Sequence, residues 1–176
     1  MKIKVCGITR EEDIAELLLA GVDFIGFNFI KSSPRYIDIN WAVNIINKYN
    51  IQKKVVPLCE ISDLKTVHHK LKNLDLPFYQ IYEVHDSSNQ IEKFNLNYFL
   101  PTSATKLKQN IDNNLFIGNK DKYLLDNFDH GLGGSGIKFN WNDLANIKLD
   151  NCFMLAKSFQ LNSVSYTHLR AHETRS

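Results

Sequence analysis

The spacing of apolar and polar positions changes period repeatedly along the chain. Ile3-Lys4-Val5-Cys6 alternates, with β-branched residues at every second position, and predicts a short strand. Gly7 interrupts it. Thr9, followed three residues later by Glu12, forms a capping-box pattern that predicts a helix start. Ile14, Leu17, Leu18 and Ala20 then share one side of that helix, which the pattern ends at Gly21. Phe24-Ile25-Gly26-Phe27-Asn28-Phe29 is almost continuously apolar, as strands covered on both faces of a parallel sheet are.

The same alternation recurs further on. A helix is predicted over Trp41–Tyr49, a strand over Val55–Leu58, a helix over Leu64–Leu74 and a strand over Phe78–Tyr82. A weaker helix around Ile91 precedes strands at Tyr98–Leu100, Tyr123–Asp126 and Phe153–Ala156. Strand and helix in regular alternation argue for an α/β fold with parallel strands. Periodicity leaves an open doubly wound sheet and a closed barrel both available, since each gathers its site at the C-terminal strand ends. The count is about seven strands, one fewer than a (β/α)8 barrel holds, in a chain of 176 residues.

Composition adds mainly exclusions. With 44% hydrophobic and 23% charged residues, the chain has ordinary globular usage and the length of one domain. No apolar run approaches the roughly 18 residues of a membrane span. The N-terminus lacks the apolar stretch of a secretory signal, so the cytoplasm is the expected compartment. Twenty-one basic and 19 acidic residues are interspersed, with no basic face to indicate nucleic acid. Cys6, Cys59 and Cys152 lie far apart with no CxxC pair, so neither a zinc site nor a disulfide framework is expected. Residues 165–176 are foreign in composition: two of the four arginines fall there and asparagine stops at Asn162. They read either as a frayed polar terminus or as a scar, frame slip or translated adapter, leaving 1–164 as the barrel domain.

Four segments carry candidate chemistry. Cys6 ends a strand close to a helix N-terminus, where an anion such as a thiolate is favoured; a packed turn cysteine is the plainer reading. Arg35, after Ser32-Ser33-Pro34, offers a rigid cationic fork for carboxylate or phosphate, or is simply solvated. Asp126 follows three apolar residues, so partial desolvation suits it to act as a general acid; a turn or capping aspartate is the alternative. Gly131-Leu132-Gly133-Gly134-Ser135-Gly136 is dense enough in glycine to let backbone N–H groups approach a phosphate, or it is a mobile connector. His68-His69, in a lysine-rich helix, read as a solvated face, and His85 and His130 as loop residues.

Taken in order, these segments resemble the phosphoribosylanthranilate isomerase family. The matching residues are Lys4-Val5-Cys6-Gly7-Ile8-Thr9 with Glu12-Asp13, Gly21-Val22-Asp23-Phe24-Ile25-Gly26-Phe27 and Ser33-Pro34-Arg35-Tyr36. Leu124-Leu125-Asp126, Gly133-Gly134-Ser135-Gly136 and Phe139-Asn140-Trp141 complete the set. The resemblance implies a (β/α)8 TIM barrel, incomplete here because its last βα unit is missing. It further implies a cofactor-free, metal-free Amadori rearrangement of a small phosphosugar substrate by a monomer or homodimer. Carried over, Cys6 is the general base, Asp126 the general acid, Arg35 the ligand of the anthranilate carboxylate, and Gly133, Gly134, Ser135 and Gly136 bind substrate.

The chain departs from the family pattern in places. Gln80-Ile81-Tyr82-Glu83 stands where Gln-Leu-His-Gly is usual, and Val56-Pro57-Leu58-Cys59-Glu60 where Val-Gly-Val-Phe is usual. Leu155-Ala156-Lys157-Ser158 replaces Leu-Ala-Gly-Gly, and the last strand with its Ser-Ser-Gly-Val-Glu loop is missing, which removes most of the phosphate grip. A barrel one strand short leaves two unpaired edges and an exposed core, so marginal stability, aggregation and negligible activity are expected of the chain as it stands. Tyr82 and Lys157-Ser158 keep open a non-catalytic phosphosugar- or partner-binding relative, and the fold also hosts other phosphosugar enzymes.

Overall fold

The computed structural model describes residues 2–82, 91, 93–103, 106, 109, 122–125 and 153–155, the last two segments as backbone together with the side chain of Leu124. Seven strands among them form one parallel sheet in chain order. They are β1 (Lys4–Cys6), β2 (Phe24–Asn28), β3 (Val55–Glu60), β4 (Tyr79–Tyr82), β5 (Tyr98–Thr102), β6 (Lys122–Leu125) and β7 (Phe153–Leu155). Helices α1 (Glu11–Leu19), α2 (Ile39–Tyr49) and α3 (Leu64–Leu71) fill the first three crossovers. The strand count is the one the sequence predicts, as is the alternation of strand and helix as far as β4.

Period-2 alternation sorts the strand residues onto two faces. Ile25, Phe27, Val55, Cys59, Tyr79, Ile81 and Tyr98 join Ile14, Ile45, Ile46, Leu64, Val67 and Leu71 of the helices in the larger apolar cluster. Val56, Leu58, Phe78, Tyr82, Phe99 and Leu124 form a second cluster on the opposite, inner face. Pairing is in register, Cys6 with Gly26, Gly26 with Val56 and Leu58 with Gln80, so each inner residue has inner neighbours. The Nζ of Lys4 on β1 nevertheless hydrogen-bonds Oε1 of Gln80 on β4, with two strands between them. In a flat sheet those strands would lie about 14 Å apart with their side chains standing upright. The sheet therefore curls about its inner face, as a barrel wall does.

The helix boundaries correct the sequence reading in detail. Helix α1 starts at Glu11, with Arg10 as N-cap and no side-chain cap, so the Thr9–Glu12 capping box does not form. Glu11, Glu12 and Asp13 supply negative charge to the first turn instead, and Nε of Arg10 sits 3.5 Å from Glu12 and 3.7 Å from Asp13. Helix α2 begins two residues before Trp41 because Asp38 accepts from the backbone N–H of Asn40 and Trp41 at 2.8 and 3.1 Å. Helix α3 ends at Leu71, short of Leu74. Ile91 is helical and buried, but its neighbours lie outside the described residues, as do His85, His130, Cys152 and the 165–176 tail.

His68 is a further correction. His69 is exposed as expected, but the His68 ring packs 5.4 Å from Phe94 and 6.2 Å from Tyr79. Its Nδ1 is buried without a hydrogen-bond partner among the described residues. Burial, then the charge of Lys72 and His69, pulls its pKa below the usual 6.5. The folded chain thus binds fewer protons here than the unfolded one. This contribution to stability is complete above about pH 6.5 and is lost as pH falls below it. Urea midpoints should therefore drop more steeply from pH 7 to 5 in the wild type than in His68→Leu; parallel curves would reject the assignment.

Candidate active site

Parallel strands deliver Cys6, Asn28, Glu60, Tyr82 and Thr102 to one end of the sheet, the end where barrels of this kind carry their sites. Cys6 is exposed there, whereas Cys59 faces the helices and is buried. Burial, reinforced by the carboxylates of Asp63 and Glu60, pushes the Cys59 thiol up to about 12 and leaves it an inert packing residue. Room for Cys6 comes from the neighbouring strand. A Cβ added to Gly26 would stand 2.6 Å from the Cys6 Sγ and 3.1 Å from its Cα. No larger residue fits beside this thiol without moving β1.

The connection after β2 is tied down by two side chains. Asn28, 9% exposed, donates from Nδ2 to Oγ of Ser33 at 3.0 Å and accepts the Ile30 N–H at 2.8 Å. The Ser33 Oγ also accepts the Arg35 N–H at 3.2 Å, while Tyr36 and Ile37 donate back to the carbonyls of Ser33 and Asn28 at 3.1 and 2.9 Å. Pro34 restricts the one remaining link. This folded loop lays the stem of Arg35 over Gly7. A Cβ on Gly7 would overlap Cδ of Arg35 and lie 3.2 Å from its Nε, and Gly7 has a φ of 78° besides. The Gly7 N–H donates to the Gly26 carbonyl at 3.1 Å, closing the group.

Cys6 and Arg35 are thus brought together, the guanidinium arm lying over the residue that follows the thiol. Arg35 is half-buried rather than a freely solvated arginine. The helix that the sequence places beside Cys6 begins five residues on and has an acidic first turn. Asp126 follows β6 directly in the chain; it and Gly133, Gly134, Ser135 and Gly136 lie outside the described residues.

Sequence reasoning missed two groups that the structure makes prominent. Asn28 reads as one polar residue in an apolar strand, yet it organises the whole loop. Gln80, 2% exposed, takes a hydrogen bond from Lys4 and gives one to the Tyr82 hydroxyl at 2.7 Å. The available signal was polarity at positions whose alternation assigns them to a buried face. Among the described residues no group of three or more His, Cys, Asp or Glu side chains is placed to hold a metal ion, and no helix is long and apolar enough to cross a membrane.

Comparison with known proteins agrees with this geometry. The family model described as N-(5'phosphoribosyl)anthranilate (PRA) isomerase matches residues 3–168. The tryptophan biosynthesis protein TrpCF of Buchnera aphidicola subsp. Baizongia pistaciae is 36% identical over 167 residues, 91% of this chain and 34% of that protein. The N-(5'-phosphoribosyl)anthranilate isomerase of Dechloromonas aromatica is 31% identical over 143 residues, 80% of this chain and 67% of that protein. Among solved structures, TrpF from Jonesia denitrificans superposes with a TM-score of 0.64 at 23% identity, over 89% of this chain and 74% of its own. The chain spans about a third of the length of the TrpCF proteins it matches.

Gly7 offers a direct check on the packing. Gly7→Ala forces a side chain into a left-handed backbone and into the stem of Arg35, and should destabilise the fold by about 1–3 kcal/mol. Urea titration measures this, and an unchanged midpoint would show that Arg35 does not rest there.

Proposed function

The chain belongs to the phosphoribosylanthranilate isomerase family, and from that premise we propose that it converts N-(5'-phosphoribosyl)anthranilate to 1-(2-carboxyphenylamino)-1-deoxyribulose 5-phosphate in tryptophan biosynthesis. The observation that carries the reading is an exposed Cys6 thiol at the C-terminal end of the sheet, with the Arg35 arm laid over the next residue, Gly7. An aldose-to-ketose rearrangement needs an acid to open the sugar ring and a base to take a carbon-bound proton. In this reading Asp126 protonates the furanose ring oxygen, and the ring C–O bond breaks to give a Schiff base. Cys6, as thiolate, removes the C2' proton; the electron pair moves into the C1'–C2' bond and neutralises the iminium nitrogen as an enolamine. Tautomerisation then puts a proton on C1' and leaves the ketone at C2'.

The remaining residues bind. Arg35 pairs with the anthranilate carboxylate, for which a planar two-pronged cation is better shaped than lysine. Gly133, Gly134, Ser135 and Gly136 give backbone N–H groups to the phosphate. No cofactor enters the scheme, and the working form is a monomer or homodimer in the cytoplasm.

The chain as it stands should turn over little phosphoribosylanthranilate, whereas a version extended by an eighth βα unit should consume it and restore growth to a tryptophan auxotroph lacking the isomerase. Cys6→Ala and Asp126→Asn should each lower kcat by about 10²–10⁴-fold, while Arg35→Met should chiefly raise KM. Substrate turnover that survives both Cys6→Ala and Asp126→Asn would reject the acid–base assignment. Phosphosugar binding without any turnover would instead make the chain a non-catalytic relative.

A further inference from the structure

Lys4 carries a positive charge on the inner face of β1, and we propose that its ammonium is a further substrate-binding group, donating to the C2' oxygen of the sugar from beneath the thiol. The inference rests on the isomerase reading and deepens it, by naming what holds the carbon that Cys6 deprotonates. A lysine ammonium has three donors and no acceptor. One donor goes to Oε1 of Gln80, a neutral amide that is 2% exposed. None of the ion pairs among the described residues includes Lys4, and its other two donors have no partner there. Its surroundings are apolar: Phe24 faces it in register, and Val56, Phe78 and Phe99 line the same face. A half-buried charge in that setting is costly unless oxygen atoms meet it. Beyond Gln80 no described group does so, and the remaining partner is one that a ligand brings.

Order along the strand selects the oxygen. Alternation puts Lys4 and Cys6 on the same face of β1, two residues or about 7 Å apart. The bond to Gln80 on β4 holds the ammonium out over the interior of the curled sheet, beneath a ligand seated at the rim. Arg35 lies over Gly7, on the other side of the thiol from Lys4. The substrate runs from carboxylate through aromatic ring and nitrogen to C1' and C2'. With the carboxylate at Arg35 and C2' at Cys6, the group that continues toward Lys4 is the oxygen on C2'. A hydrogen bond from an ammonium draws electron density through that oxygen. Loss of the C2' proton is eased, and the gain is largest where charge develops in the transition state.

Lys4→Met, made in the version extended by an eighth βα unit, should lower kcat/KM for phosphoribosylanthranilate by about 10–100-fold, the range for a lost hydrogen bond to a charged group. Titration calorimetry with the reduced, non-reacting product, which keeps an oxygen on C2', should show Kd raised by about tenfold, in the chain as it stands and in the extended version. Binding of anthranilate alone and of inorganic phosphate should not change. Lys4→Met leaves the Gln80 oxygen unpartnered, so Lys4→Met/Gln80→Met, which removes both groups, separates binding from folding. Its urea midpoint should equal or exceed that of the wild type while the loss of affinity persists. Propylammonium added to Lys4→Ala should restore part of the affinity, and propanol should not. The proposal would be overturned by wild-type Kd in Lys4→Met, or by anthranilate or phosphate binding lost in the same ratio. A double variant that loses stability along with affinity, or rescue by propanol as good as by propylammonium, would overturn it too; all four leave the isomerase reading intact. An extended version that neither turns over phosphoribosylanthranilate nor binds the reduced product would remove both.

Discussion

Parallel pairing in chain order is the constraint from which the rest of the molecule follows. Because each strand lies beside the next and runs the same way, every crossover must return across the same face, and that face is filled by helices. The other face is left to fill itself, which it does by curling until Val56, Leu58, Phe78, Phe99 and Leu124 meet. The same rule sends every strand end to one rim. Cys6, Asn28 and Tyr82 are distant in sequence yet share that rim without any contact specific to the site being needed to gather them.

Local packing then fixes individual atoms. Two glycines act by what they lack: Gly26 leaves space for the Cys6 side chain and Gly7 for the Arg35 stem. Asn28 acts by what it holds, spending its amide on Ser33 and its carbonyl oxygen on Ile30, so that the loop carrying Arg35 has a set path. Such an arrangement presents a cation at low cost in ordering, since a loose arginine would lose its rotamer freedom on each encounter with an anion.

The fold was largely legible in the sequence because its signal is periodic. The strands show as apolar runs or, in β1, as alternation, and the family segments put Cys6 at the end of one strand and Arg35 in the connection after the next. What escaped was non-periodic. Thr9 and Glu12 have capping-box spacing, but the chain leaves β1 through a left-handed Gly7 and enters the helix at Glu11 instead. His68 looked solvated because its sequence neighbours are charged; Tyr79 and Phe94, which cover it, come from later segments. Asn28 and Gln80 each sit inside an apolar run, where a single polar residue looks like a blemish until its partners on other elements are known.

The polar residues of the inner face show how stability and chemistry divide this molecule. On the helix-covered face the interior is apolar almost throughout, and it contains the buried Cys59 thiol that burial keeps protonated. On the inner face an ammonium, a carboxamide, a phenol and an exposed thiol share space with the aliphatic layer. Removing polar groups from water is unfavourable unless each finds a partner, and here Lys4 finds Gln80 across strands while Gln80 finds Tyr82 along β4. The polar groups of the inner face thus lie on the side where the strand ends gather Cys6 and Tyr82, while the outer face is packed with the apolar side chains of strands and helices.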